Sequence, residues 1–245
     1  MRSAVIRRSC AAGVAVLSLT LLAGCSDSGE DGKEAGKGGS GSAEGKKTPA
    51  LSAADLEKVV LKDGDVKGHK VTAPTVTVEQ KDITTEDKAC APLAYATIGS
   101  VVDRPGATVQ RETASVPNPT DPKSLDITRT LIRLSSYEGD GAKTALASLT
   151  KSVDACAKGF KVTADGTDQQ VTKVAKTDAP GGADEAVALD IVSEAEDAKV
   201  PMKVVVVRKG ATVAYFTALN IGSLATGKDF DFPAEIADAQ IAKLA

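Results

Sequence analysis

The sequence has few of the residues that several common functions need: no tryptophan, four phenylalanines, three tyrosines and one histidine among 245 residues. Nucleic-acid binding uses basic surfaces and stacking rings, whereas this chain has 30 basic residues against 33 acidic ones. A zinc centre built on several histidines is excluded because His69 is the only histidine. We therefore expect no nucleic-acid partner, no metal site and no non-covalent cofactor.

The N-terminal apolar stretch is too short to span a membrane as a helix, which needs about 20 residues. Residues 11–24 (AAGVAVLSLTLLAG) form this stretch, and they follow three basic residues, Arg2, Arg7 and Arg8. A positively charged segment before a short apolar run is typical of a secretory signal peptide. The pattern predicts that residues 1–24 are removed on export.

The stretch ends in Leu22, Ala23, Gly24 and Cys25, which resembles the lipobox of bacterial lipoproteins. In that class a diacylglycerol is attached to the cysteine sulfur, and cleavage makes the cysteine the first mature residue. The resemblance implies anchoring to the extracytoplasmic face of the cell membrane, since two acyl chains hold a protein stably on a bilayer. The alternative is an uncleaved anchor that ends in cysteine by coincidence.

A flexible tether and one domain are predicted after the lipidated cysteine. Residues 26–50 are rich in glycine, serine and charge and contain no large apolar side chain, so they cannot form a core. Such a chain has a root-mean-square reach of roughly 25–30 Å, which separates the domain from the headgroups. Residues 51–245 contain no linker that would divide them, and we expect one domain there.

The pattern of residues 51–245 favours an α+β domain, an antiparallel sheet with about four helices packed on it. Runs of consecutive strands with a few segregated helices are typical of that class. Helical spacing of apolar residues, or a capping box, predicts helices over 52–61, 86–101 and 142–157 and a closing helix after Pro233. Alternating or β-branched stretches predict strands at 107–116, 125–136, 160–164, 169–176, 185–194, 200–208 and 211–221, with an extended segment over 70–80.

Cys90 and Cys156 are the cysteines left for a structural role, because Cys10 leaves with the signal peptide and Cys25 carries lipid. Both fall on predicted helices of an exported protein, where disulfides form and persist. We therefore predict a disulfide that links the two helices. Two free buried thiols remain an alternative, and so does a redox pair, although redox pairs are usually spaced C-x-x-C.

Two arginines are the candidate ligand-binding residues. In the strand predicted over 125–136, alternation puts Arg129 and Arg133 on one face with Leu131, and Ile132 and Leu134 on the other. Two cations on one sheet face can receive an anion, although such pairs more often lie on a solvated face. His69, between Gly68 and Lys70 in a turn-rich stretch, is expected in a solvated loop.

Short motifs of the domain resemble the PknH-like family of extracytoplasmic sensor domains, found in mycobacterial receptor kinases and in actinobacterial lipoproteins. These motifs are residues 63–68 (DGDVKG), 90–93 (CAPL) and 155–156 (AC). The resemblance implies a disulfide-stabilised α+β fold with a ligand cleft between sheet and helices. Family members have two disulfides, whereas this chain can form one, and the tryptophan often found near the second cysteine is absent. The family offers no catalytic residues to transfer.

The sequence therefore predicts a membrane-anchored, non-enzymatic sensor or ligand-binding domain, whose partner is an unknown small ligand or a cell-envelope protein. We assign no catalytic residue because no nucleophile–base pair or metal-ligand set is evident. The alternatives are a lipid or glycolipid carrier with an apolar cavity, or a cell-wall hydrolase using two carboxylates. Any pocket is expected between the helices and one face of the sheet.

Overall fold

A computed structural model describes residues 49–117, 120–121, 124–195 and 198–244. The predictions made for residues 1–48, which include the signal peptide, Cys25 and most of the tether, lie outside the described residues. The described residues belong to one compact unit. No helix in the described ranges is long and apolar enough to cross a membrane.

One antiparallel sheet of nine strands forms the framework of the domain. Its spatial order is β1-β3-β4-β9-β8-β7-β6-β5-β2, so the two shortest strands lie at the edges. Short edge strands leave few unpaired backbone groups for another chain to pair with. The strands are β1 His69–Thr72, β2 Ile83–Thr85, β3 Ala107–Ser115, β4 Thr128–Ser136, β5 Phe160–Ala164, β6 Thr167–Thr177, β7 Glu185–Ala195, β8 Ala198–Lys209 and β9 Thr212–Asn220.

Five helices in the described residues cover the sheet on both faces. They are α1 Ala53–Val59, α2 Ala91–Ile98, α3 Gly141–Ala155, α4 Ile221–Thr226 and α5 Ala234–Lys243. The predicted α+β class with an antiparallel sheet is confirmed, and four of these helices correspond to predicted ones. The predicted 86–101 helix is shorter, because a 3₁₀ turn over Lys88–Cys90 precedes it and Gly99 ends it in the left-handed conformation.

The sheet separates two apolar cores because its central strands are apolar on both faces. In β8, Val204 and Val206 belong to the core beside α2 and α3, while Val205 and Val207 belong to the core beside α1 and α5. All four are at most 3% exposed. A continuous β-branched run is the pattern of a strand buried on both faces, as the sequence predicts for these residues.

The disulfide connects the ends of α2 and α3, the two helices of the core that contains Val204 and Val206, which we call the first core. Cys90 lies in the 3₁₀ turn that leads into α2, and Cys156 caps the C-terminus of α3. Their sulfurs are bonded, and both residues are 2% exposed within the first core. The predicted disulfide between the two helical segments is confirmed.

His69 is the clearest departure from the sequence prediction. It is not in a solvated loop: it begins β1, is 9% exposed, and its Nε2 lies 2.8 Å from Oε1 of Glu235 in α5. The prediction failed because the turn ends at Gly68, which has φ +79°, and the edge strand β1 begins at the next residue. Glu235 is 166 residues away along the chain, so the sequence around His69 does not indicate this contact.

Candidate functional site

Arg129 and Arg133 lie on the sheet face that carries α2 and α3, together with Leu131. The predicted alternation is correct, since Ile132 and Leu134 lie in the core on the opposite face. The face is not solvated throughout, because Arg133 is only 3% exposed. Residues 73–79, between β1 and the following 3₁₀ turn, lie over it, and we call this segment the strap.

The buried arginine holds the middle of the strap against the sheet. Arg133 Nη1 donates to the carbonyl of Val78 at 3.2 Å, and Nη2 donates to Gln110 Oε1 at 2.7 Å. Gln110, directly opposite Arg133 in the β3–β4 register, in turn donates from Nε2 to the carbonyl of Val76 at 3.1 Å. Burial lowers the pKa of the Arg133 guanidinium, but arginine stays charged at any physiological pH.

A carboxylate holds the start of the strap. Glu112 Oε2 accepts hydrogen bonds from the backbone N–H of Thr75 at 3.4 Å and from its hydroxyl at 3.2 Å. Its other oxygen accepts from Arg129 Nε at 2.6 Å, and the two side chains form an ion pair. Burial alone would raise the pKa of Glu112, but the hydrogen bonds from Arg129 and Thr75 outweigh it and keep the pKa below 4.5.

An apolar pocket of about 470 Å³ lies beside the strap, and we call it the strap pocket. This volume falls within the range of small-molecule sites, roughly 300–1,000 Å³. The Glu112–Arg129 pair forms one side of it, and threonines supply most of the remaining polar atoms. Its apolar lining comes from the strap, two helices and three strands: Val76, Val78, Ile98, Leu131, Val200, Met202, Leu219, Ile221 and Leu224.

Two helix ends are positioned to form the pocket wall. The hydroxyl of Thr217 in β9 donates to the carbonyl of Ala96 at 3.0 Å, which fixes the end of α2 on the sheet. At Gly99 a Cβ atom would lie 2.4 Å from a methyl group of Leu131, so the missing side chain lets the helix end approach the pocket floor. Asn220 caps α4 by accepting from the N–H of Ser223 at 2.9 Å.

A second, polar cavity of about 660 Å³ lies on the other side of the strap. Over residues 76–79 the side chains of the strap alternate as in an extended chain: Val76 and Val78 line the apolar pocket, whereas Thr77 and Glu79 line the polar cavity. The strap thus separates the two predicted ligand-binding arginines. Arg129 lines the strap pocket and Arg133 lines the polar cavity, so they do not form one anion site.

Two buried tyrosines near these cavities have a structural role. The Tyr137 hydroxyl donates to the carbonyl of Val102 at 2.7 Å and lies 2.8 Å from the Tyr215 hydroxyl, which accepts from the Val102 N–H at 3.2 Å. Burial raises the pKa of Tyr137 and raises that of Tyr215 to about 12. Both therefore stay protonated at neutral pH. Within the described ranges, no group of three or more histidine, cysteine, aspartate or glutamate side chains is placed to hold a metal.

Comparison with solved structures finds matches that include two mycobacterial proteins. The extracellular domain of PknH from Mycobacterium tuberculosis matches with 10% identity and a TM-score of 0.48, over 80% of this chain and 95% of that chain. An uncharacterized Mycobacterium smegmatis protein, an Rv0999 ortholog, matches with 14% identity and a TM-score of 0.33, over 78% and 94%. The resemblance to PknH-like domains is thus confirmed as a distant similarity, and no residue role is transferred with it.

Comparison by sequence adds no relative. No protein-family model matches the chain, and no curated protein matches it.

The sequence predicts the arginines of the site and an extended segment over 70–80, but not that this segment lies over the sheet as the strap, and it does not predict α4. The strap has no regular hydrogen-bonding pattern of its own and is held by side chains of β3 and β4. The helix α4 has only six residues, fewer than periodicity can detect. One signal was available: Asn220 stands directly before Ile221 and four residues before Leu224, in a stretch that ends in Gly227, which fits a capped short helix.

The pKa of Glu112 makes the strap contacts sensitive to acid. A carboxyl whose folded pKa is lowered stabilises the fold above its unfolded value, and this contribution is lost as the pH falls through the folded pKa. Glu112→Gln should therefore lower the free energy of unfolding at pH 7 by about 1 kcal/mol. The difference should shrink as the pH falls through the folded pKa of Glu112. Urea denaturation at pH 7 and pH 3.5 measures it, and an equal difference at both pH values would contradict the role given to Glu112.

Proposed function

We propose that this protein is an extracytoplasmic, lipid-anchored binding protein that holds the apolar part of a small ligand in the strap pocket. The observation that carries the proposal is the exposed apolar rim of the pocket. Val76 and Leu224 are 62% and 40% exposed and are two of the four large exposed apolar side chains in the described part of the chain. Apolar surface left open beside a concave apolar site marks a binding surface.

The polar side of the pocket indicates an amphiphilic ligand. Arg129 is half exposed, and its Nη1 makes no hydrogen bond to the described residues, although Nε and Nη2 bind Glu112. A polar or anionic group attached to an apolar body can accept from Nη1 while the body contacts Leu131 and Leu219. Recognition by one or two placed polar groups on an apolar wall is usual for small-molecule sites.

The pocket supports binding rather than catalysis. Its titratable groups form one ion pair, in which the pKa of Glu112 is lowered. A general acid or base works best with a pKa near the working pH, which requires a shift in the opposite direction. We therefore propose a non-enzymatic role, in which the domain is anchored at the membrane and senses or delivers the bound ligand.

Binding of the fluorescent apolar probe 1-N-phenylnaphthylamine tests the proposal. The chain from Ser26 serves for this test, because the described residues form a compact unit of their own. We expect saturable binding that weakens at least tenfold in the double variant Val76→Asp/Leu224→Asp, because each carboxylate places charge on the apolar rim. Both positions are exposed, so the variant should fold normally.

Val116 and Leu125 supply a matched control, since they are 59% and 54% exposed and line a separate cavity rather than the strap pocket. Val116→Asp/Leu125→Asp should bind the probe like the parent chain. Equal loss in both double variants, or no saturable binding to the parent, would contradict the proposal. Mass spectrometry of the purified protein distinguishes the lipid-carrier alternative, which predicts a stoichiometric lipid that Val76→Asp/Leu224→Asp loses.

The anchoring part of the proposal has its own test. Cys25 carries the acyl chains if residues 22–25 act as a lipobox, so Cys25→Ser should leave an unprocessed precursor or release the protein from the membrane fraction. Cell fractionation and the mass of the mature chain measure both outcomes. A processed Cys25→Ser protein that remains on the membrane would show that another element holds it there.

A further inference from the structure

The polar cavity beyond the strap has an excess of positive charge. Three cationic side chains line it, Lys81, Arg104 and Arg133, with two acidic ones, Glu79 and Asp103. The cations come from three different segments: the 3₁₀ turn after the strap, the loop before β3, and β4. Within the described residues, none of these three cations forms an ion pair at 4.0 Å or less.

Arg133, which lines this cavity, is a cation whose hydrogen-bond donors are only partly used. A guanidinium has five N–H donors, and hydrogen bonds to Val78 and Gln110 use two of them. The Nε–H is buried and has no partner. Glu79 favours the charged form of Arg133 electrostatically without forming an ion pair. A buried cation that lacks a bonded counter-ion is costly, and an anion in the cavity would reduce that cost.

The rim of the cavity is fixed by hydrogen bonds. Gln80 Nε2 donates to the carbonyls of Val101 at 2.6 Å and Asp103 at 2.8 Å, which holds the loop that carries Arg104 against the turn that carries Lys81. Asp103 adopts a left-handed conformation with φ +56°, which non-glycine residues rarely take without a surrounding constraint. The positions of the cationic segments are therefore set before any ligand binds.

We propose that this cavity is a second ligand site, separate from the strap pocket, which takes a small oxyanion such as a carboxylate or phosphate group. Arg104 and Lys81 supply charge at the rim, and Arg133 supplies it at the floor. Arginine binds planar and tetrahedral oxyanions through paired N–H groups. Glu79 and Asp103 reduce the positive potential, so the site prefers an anion of low charge.

Titration with inorganic phosphate and with acetate, each at constant ionic strength, tests the proposal on the chain from Ser26. The amide signals of residues 77–81 and 101–104 should shift saturably in NMR spectra, and the tighter of the two anions identifies the oxyanion class. Lys81→Gln/Arg104→Gln should weaken binding at least tenfold. Glu79→Gln should tighten it severalfold, an effect of opposite sign that a general loss of folding cannot produce.

Lys143→Gln/Lys158→Gln serves as the matched control. It also removes two positive charges, but from exposed positions outside the cavity. It should bind both anions like the parent chain. Shifts that are linear in anion concentration, or equal weakening in the two double variants, would overturn the proposal. These outcomes are independent of probe binding in the strap pocket, so either site can fail its test alone.

Discussion

Replacing Cys90 and Cys156 together by alanine should lower the free energy of unfolding by about 4 kcal/mol. The disulfide closes a loop with a sequence separation of 66 residues, and the chain-entropy model gives about 4 kcal/mol for a loop of that length. Both sulfurs are buried in the first core, so truncation also removes packing there. The expected fall in melting temperature is about 10 °C. Guanidinium and thermal denaturation measure the two quantities.

The reduced parent protein is the internal control for this prediction. A thiol reductant under mildly denaturing conditions should give it nearly the stability of the double variant, while the variant itself should not respond to reductant. A loss below about 1 kcal/mol would mean that the reduced, unfolded chain is already compact around these residues. Such a result would remove the bridge as a main source of stability.

Gly159→Ala should destabilise the domain by about 3 kcal/mol or more, among the larger effects of single substitutions. Gly159 links α3 to β5 with φ +98°, and a Cβ atom there would lie 2.2 Å from the carbonyl oxygen of Val171. That oxygen belongs to the β6 backbone, so it cannot move without disturbing the β5–β6 pairing. Urea denaturation measures the loss.

Gly166→Ala provides the matched comparison. Gly166 lies in the turn between β5 and β6 with φ +75°, and a Cβ atom there would meet nothing within 4 Å. Only the cost of the left-handed backbone applies, about 1–2 kcal/mol. The difference between the two alanine variants isolates the steric contact with β6. Equal losses would show that backbone conformation alone explains the effect at Gly159.

The two arginines show how far local pattern could predict the candidate site. Alternation along β4 placed Arg129 and Arg133 on one face correctly, because side chains of a strand alternate regardless of its neighbours. Their environments depend on β3, which puts Gln110 opposite Arg133 and Glu112 diagonal to Arg129. Strand register is a tertiary property. The sequence therefore could not show that Arg133 is buried and holds the strap, or that Arg129 pairs with the carboxylate that holds its start.

The fold class, most element positions and the disulfide pairing followed from the sequence alone. They depend on local periodicity, on capping and turn residues, and on having just two cysteines in the domain. The identity and shape of both cavities were decided by tertiary structure. The strap contacts residues in β3 and β4 that are 34 to 55 positions away along the chain, and the strap pocket combines it with α2, α4 and five strands. Contacts between distant segments depend on how the sheet brings them together, and no single stretch of sequence carries that information.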